Sequence, residues 1–450
     1  MSLPIDALRL CLANAATGPQ SGAQLAKAMQ RSQPTVSRAL AALGDEVVRI
    51  GQRRSARYLL RDRARGFGDS PVFRVDTAGR VEALGSLLPV RPEGFLFALS
   101  DGRQIHSHGL PWWLLDMLPQ GYLGRSYASR HARALGLPGD LKDWTDSHAI
   151  RALLLHGHDL VGNLLLGTEA RDRFISSPEP ECIGKADKAR AYERLAIGAA
   201  QGDSPGSSAG GEQPKFTAYV ETDRGGRHVI VKFSERQDSP VSQRWRDLLL
   251  AEHIALTTLR QAGFAAAHSV IVDSPEQRFL EVERFDRVGA VGRKALISLR
   301  AWDAEFVGKA NQPWPVITQA LAARGLVAAR AVDVAQMLWA FGSLIGNSDM
   351  HAGNLSFLSE DGDHYDIAPA YDMTPMSFAP TRSGRLPQQI QPIALHASVS
   401  NAHWHAARQL ALRYLAALRG HGQFSAAFGA CIDALVHHLA LAGKQIDRLA

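Results

Sequence analysis

Asp349 and Asn354 stand five positions apart in I-G-N-S-D-M-H-A-G-N (Ile345–Asn354), and Asp372 follows in A-Y-D-M-T-P. A carboxylate at Asp349 can accept the proton of an attacking hydroxyl. The amide oxygen of Asn354 and the Asp372 carboxylate are hard oxygen donors of the kind magnesium takes. That pairing suits phosphoryl transfer, which asks a protein for positioning and charge neutralisation more than for covalent chemistry. His351, between them, has no second histidine at ligand spacing, so it reads as a catalytic-loop hydrogen bonder and not as a zinc ligand.

Upstream residues supply what a nucleotide would need. Q-G-D-S-P-G-S-S-A-G-G-E-Q-P is a loop of small residues ending at Lys215, where Ser208, Gly210 and Gly211 would let backbone N–H groups approach phosphate oxygens. It is not a Walker A loop, because Lys215 follows Pro214 and Phe216 fills the place of the magnesium-binding hydroxyl. Lys232 lies on an apolar strand, His228–Phe233, and needs a negative partner. Kinases place their phosphate-binding lysine on the strand after the glycine-rich loop and pair it with a helical glutamate, for which Glu252 in a helix Gln243–Gln261 is the candidate. F-L-E-V-E-R-F-D-R (Phe279–Arg287) then reads as a strand leading to a hinge. Glu283 and Phe285 would hold adenine there through the backbone, and Asp286 would be free to reach a ribose hydroxyl.

The elements that must position these groups follow from periodicity. An apolar helix Val332–Leu344 precedes the Asp349 loop, and strands Leu355–Leu358 and His364–Ile367 turn at Asp361-Gly362 before Asp372. A helix at Lys185–Ala200 and a strand at Phe216–Glu221 flank the small-residue loop. Between Pro71 and Gly167 the signals are mixed, with strands at Val72–Val75 and Gly94–Leu99 and helical stretches at Leu110–Met117 and Gly124–Leu135, and no catalytic constellation.

The 450 residues carry a net charge of +6, and its location matters more than its size. Residues 1–65 hold 11 Lys and Arg against 4 Asp and Glu, an excess of seven, while the remaining 39 basic and 40 acidic residues nearly cancel. A localised basic surface suits a phosphate backbone. Here it coincides with a helix Ile5–Asn14, a capped helix Ser21–Met29, a turn Gln30–Gln33 and a helix opened by Pro34. Val36, Leu40 and Leu43 face inward on that last helix, leaving Gln33, Thr35, Ser37 and Arg38 outward. Strands Val47–Ile50 and Arg57–Leu60 around G-Q-R-R-S-A form a wing with Arg53, Arg54 and Arg57. This is the order of a winged helix-turn-helix, whose partner would be double-stranded DNA read as a homodimer.

Hydrophobic content of 46%, 21% charged residues and a mean hydropathy of −0.12 exclude a disordered or fibrous chain. Cys11, Cys182 and Cys431 are too scattered for a disulfide framework. With no apolar run approaching the ~20 residues that span a bilayer and no secretion signal, a cytoplasmic chain without a membrane partner is expected.

S-S-A-G-G-E-Q-P-K (Ser207–Lys215), V-E-R-F-D-R (Val282–Arg287), G-N-S-D-M-H-A-G-N (Gly346–Asn354) and Y-D-M-T-P (Tyr371–Pro375) resemble the HipA-type serine/threonine kinases, the toxins of bacterial toxin–antitoxin pairs. The resemblance runs from about Val72 to the end. It implies an α+β, two-lobed protein-kinase-like fold with ATP and magnesium as cofactors. Lys232 would contact the phosphates, Asp349 would be catalytic, Asn354 and Asp372 would hold the metal, and Ser208, or next Ser207, would be the inhibitory autophosphorylation site. The substrate class it implies is a protein of translation, such as an aminoacyl-tRNA synthetase, phosphorylated to slow growth. Usual members borrow DNA binding from a separate antitoxin. This chain carries its own helix-turn-helix and is similar to the fused YjjJ-like branch, so a dedicated antitoxin is not expected. The domains expected are 1–66 for DNA, 67–288 for an α/β lobe with loop, lysine and hinge, and 289–450 for a mainly helical lobe. Two other readings stay open: a small-molecule phosphotransferase of the aminoglycoside or choline type, and a regulator that senses nucleotide without turnover.

Overall fold

The computed structural model describes residues 4–14, 18–52, 55–200 and 213–449, and the chain is a mixed α+β protein. Arg53, Arg54, Ser207, Ser208, Gly210 and Gly211 lie outside the described residues.

The first helices are Ile5–Ala13, Gly22–Ala28 and Gln33–Leu43. Ser21 and Gln24 form a capping box on the second, Pro34 sits in the first turn of the third, and Gly44 ends that helix at φ 54°. Leu8, Leu12, Leu25, Val36, Leu40 and Leu43 close a small core with Leu60. Strands Val47–Ile50 and Arg57–Leu60 pair antiparallel, as their alternation predicts. Their other face joins the next unit: Val48 and Leu59 share a core with Leu88, Val90 and Leu96. Gln104 adds two bonds, accepting from Gly51 N–H at 3.2 Å and donating to the Arg49 carbonyl at 3.2 Å.

Residues 67–288 contain two separate five-stranded sheets where the sequence suggested one lobe. The first is antiparallel and built from Ser70–Val75, Val81–Val90, Gly94–Leu99, Gln104–His108 and Leu164–Leu166. The expected helix Leu110–Met117 is a 3-10 segment, Trp112–Met117, and the next helix spans Gly121–His131. The second sheet runs Ser269–Asp273, Arg278–Glu283, Gly225–Phe233, Lys215–Thr222 and Cys182–Ile183 in spatial order. Lys215 is opposite Lys232 in its register.

The helix Pro240–Gln261 explains how a glutamate comes to be buried. Ser239 and Ser242 cap it reciprocally, and Leu249 packs toward the second sheet with Leu280 and Val282. Leu248, Ala251, Ala255 and Leu259 instead join the largest core, with Ala329–Leu344, Asn401–Gly420 and Gly429–Ile446. Wedged between a sheet and a helical bundle, the helix leaves Glu252 only 1% exposed. Ala426–Ile446 is long and apolar enough on average to cross a membrane, although Asp433, His437, His438, Lys444 and Gln445 interrupt it. Its Cys431, Leu435, Leu439, Ala442 and Ile446 are buried in the largest core.

Candidate active site

Lys232 Nζ donates to both oxygens of Glu252, at 2.7 and 2.8 Å, and also pairs with Asp372. Burial works against the lysine's charge, yet Asp372 and Glu252 hold its pKa above the ordinary lysine range. Burial likewise opposes ionisation of Asp372, and Lys232 and Lys215 outweigh it, keeping that carboxyl below the usual carboxylate value. A buried lysine among carboxylates is satisfied only when every partner is held in place.

Several bonds hold them. Asp372 adopts φ 53°, a left-handed conformation that a residue with a Cβ rarely takes. Asn347 Nδ2 donates to its carbonyl at 3.1 Å, and Tyr371 Oη donates to Gly353 O at 2.7 Å and meets Ser356 Oγ at 2.6 Å. Asn347 Oδ1 also accepts the Asp349 N–H at 3.0 Å, so one buried asparagine ties the two loops together. Asn354 Nδ2 donates to the Asp349 carbonyl at 2.7 Å, leaving its amide oxygen as the acceptor. Asp349 is half exposed; burial raises its pKa, opposed by His351 and assisted by Asp372. His351 Nδ1 accepts from Gly353 N–H at 3.0 Å, and its Nε2 lies 3.9 Å from Asp349 Oδ1.

Lys215 is buried on its strand, and its charge acts on both Asp349 and Asp372. Lys215, Lys232, Asp349, His351, Asn354 and Asp372 thus come together between the second sheet and the helical part. Among the described residues no three His, Cys, Asp or Glu side chains gather to hold a metal by themselves. Asn354 and Asp372 still fit magnesium, which accepts one or two protein oxygens and completes its shell with water and phosphate.

The hinge expectation requires a correction at Asp286. Its carboxylate accepts from Arg284 Nε and Nη2 at 3.0 and 2.9 Å, from Arg287 Nη1 at 2.7 Å and from Gly162 N–H at 3.0 Å. Burial opposes its charge, but Arg284 and Arg287 hold its pKa well below the carboxylate range. It joins the first sheet's unit to the second and is not free for a ribose. Glu283 pairs with Arg224 and with Arg227 at 2.8 Å, and the Phe285 ring packs on Tyr371 at 5.6 Å. At the N-terminus, Gln33, Ser37 and Arg38 are exposed, Thr35 half-buried with its hydroxyl 2.9 Å from Ser32 Oγ, and Arg57 donates to the Pro19 carbonyl at 3.2 Å. Sequence reasoning missed Asn347 and Thr374, although both sit inside the quoted motifs, where any buried polar residue must find a partner.

Residues 207–438 match the family model of the HipA-like C-terminal domain, which places the chain in the HipA-like class. Residues 67–175 match the model of the YjjJ-like toxin, middle domain. The chain is 40% identical over 414 residues to Toxin YjjJ of Escherichia coli (strain K12), an alignment covering 91% of this chain and 93% of that one. It belongs to the YjjJ-like toxin family. Among solved structures, it is similar to the Helicobacter pylori proinflammatory kinase CtkA, with TM-score 0.36, 11% identity, and 53% and 93% of the two chains covered. It is also similar to a chain of the Shewanella oneidensis MR-1 toxin–antitoxin complex of HipA, HipB and its operator DNA, with TM-score 0.43, 15% identity, and 81% and 96% covered.

Proposed function

We propose that this chain is an ATP- and magnesium-dependent serine/threonine protein kinase that carries its own DNA-binding unit and acts as a toxin-like growth regulator. The observation that carries the reading is Lys232 held between Glu252 and Asp372, beside the loop that joins Asp349 to Asn354. In this reading Lys215 and Lys232 neutralise the ATP phosphates, with the backbone at Gly210, Gly211, Glu283 and Phe285 completing the nucleotide site. Asn354 and Asp372 hold magnesium, which when bound offsets charge on the transferring phosphoryl group. The acceptor hydroxyl oxygen attacks the γ-phosphorus, the bond to the ADP oxygen breaks, and Asp349 takes the hydroxyl proton. His351 shapes that loop by capping Gly353. Ser208, with Ser207 second, is the autophosphorylation site.

The test is incubation with labelled ATP and magnesium, followed by phosphopeptide mapping of the chain and of added cell lysate. Phosphate on Ser208 or Ser207, and on a protein of the translation machinery, is the expected result. Equal labelling of wild type and Asp349→Asn would overturn the assignment.

Residues 1–66 are read as a winged helix-turn-helix for double-stranded DNA. The excess of seven positive charges and the exposed Gln33, Ser37 and Arg38 on one helix support this. Arg38→Ala in the full chain should weaken duplex binding and flatten its salt dependence, and an unchanged salt slope would remove Arg38 from the interface.

A further inference from the structure

Thr374 stands two residues beyond Asp372 and is buried. Its hydroxyl donates to Glu252 Oε2 at 2.6 Å, the same carboxylate that receives Lys232. Asp372, Lys232, Glu252 and Thr374 therefore form a closed ring: side chains link three of the steps, and the backbone from residue 372 to 374 closes the fourth. The four members come from three elements. Lys232 is on a strand of the second sheet, Glu252 is on the wedged helix, and the other two are on the loop after the hairpin.

The ring acts on a residue whose backbone is under strain. Asp372 is left-handed at φ 53°, so its carboxylate points where it does only while its neighbours hold it. Tyr371 fixes the preceding residue through Gly353 and Ser356, and Asn347 fixes the Asp372 carbonyl. Thr374 fixes the following side, and it alone of these ties the loop to the helix that carries Glu252.

We propose that Thr374 is a positioning residue: its hydroxyl sets the helix Pro240–Gln261 in register with the Asp372 loop, so that Lys232 and Asp372 are aimed together at nucleotide phosphate and magnesium. The inference rests on the phosphotransferase reading above. Without the hydroxyl, one Glu252 oxygen loses a donor and Thr374 loses its bond to that glutamate, while Arg244 on the same helix still holds the Phe378 and Pro387 carbonyls farther along the chain. Asp372 then relaxes from its strained backbone, and metal-dependent binding suffers before metal-free binding does.

Calorimetric titration of the full chain with ADP, with and without magnesium, tests this independently of turnover. Thr374→Val, which keeps the shape and removes the donor, should weaken magnesium-dependent ADP binding roughly 10–100-fold, the usual effect of losing an outer support of a metal site. Metal-free ADP binding should fall less than magnesium-dependent binding, since Lys232 keeps its bonds to Glu252 while the loop that carries Asp372 loses a support. Thr374→Ser should restore wild-type behaviour. Thr374→Cys, a weak donor, should fall between and serves if the valine variant does not fold. In a Glu252→Ala background Thr374→Val should add nothing, because the acceptor of the Thr374 hydroxyl is already gone. Magnesium dependence equal to wild type in Thr374→Val, equal losses in the serine and valine variants, or additive losses with Glu252→Ala would overturn the role. A wild-type chain whose ADP binding ignores magnesium, with Asp372→Ala indistinguishable from it, would overturn the phosphotransferase reading instead.

Discussion

Asp349→Asn keeps the loop intact, because the bonds that shape it use the Asp349 backbone N–H and carbonyl and not its carboxylate. The variant should bind ATP and magnesium as wild type does and transfer phosphate at least about 100-fold more slowly, the lower range for a lost general base. Equilibrium nucleotide binding beside single-turnover rates checks both halves. Asp286 shows where single residues were misread. From the sequence it looked like an acid at the end of a strand, free to reach a ribose hydroxyl; its partners, Arg284 and Arg287, are in the same motif, but the third contact comes from Gly162, far away in the chain. Asp286→Ala would leave two buried guanidinium groups without their main partner and should cost about 3–5 kcal/mol of stability. Urea unfolding measures it, and a loss under about 1 kcal/mol would mean that the other partners of Arg287, which are Asp159 at 2.9 Å and the Leu160 and Gly162 carbonyls, suffice. By contrast, Lys232 and Glu252 were legible because a charge on an apolar strand and a glutamate on the next helix have few other ways to be satisfied.

Many elements announced themselves through short-range rules: the Ser21 and Pro34 caps in the N-terminal unit and, around the site, the alternation of His228–Phe233 and the apolar helix before Asp349. Elements defined by long-range pairing did not. Val81–Val90 starts on exposed residues and finishes buried, so no single period runs through it, and Cys182–Ile183 joins the second sheet as a two-residue parallel strand. The paired strands Val47–Ile50 and Arg57–Leu60, expected to form a wing, are docked by Val48 and Leu59 on the first large sheet. Cut after residue 66, those side chains would meet water, at about 1.5–3 kcal/mol each. The isolated fragment 1–66 should therefore melt at least about 10 °C below a fragment that continues through the first sheet to residue 175. Thermal circular dichroism of the two decides it, and equal midpoints would show that the helical core Leu8–Leu43 is sufficient.

At the scale of the molecule, charge distribution and the order of motifs were readable because they are properties of the chain, whereas burial is a property of the packed whole and decides how it titrates. His156 and His253, in different units, have pKa values pushed down to about 4, chiefly by burial, with His131 and Arg173 adding for the first and Arg260 and His421 for the second. Six more, His106, His131, His158, His228, His268 and His438, are lowered by burial in the same direction. Only His364 among the shifted histidines rises, beside Asp361 on the surface. An unfolded histidine takes its proton near pH 6.5, so between there and about pH 4 the unfolded chain binds protons that the folded chain refuses. The stability contributed by these groups is thus complete above about pH 6.5 and is lost progressively as pH falls toward 4. Chemical denaturation midpoints at pH 7.5, 6.0 and 5.0 should fall in that order, and the double variant His156→Gln, His253→Asn should show a shallower decline than wild type. A midpoint that holds constant from pH 7.5 to 5.0, or a double variant with the wild-type slope, would show that these histidines are protonated in the folded chain.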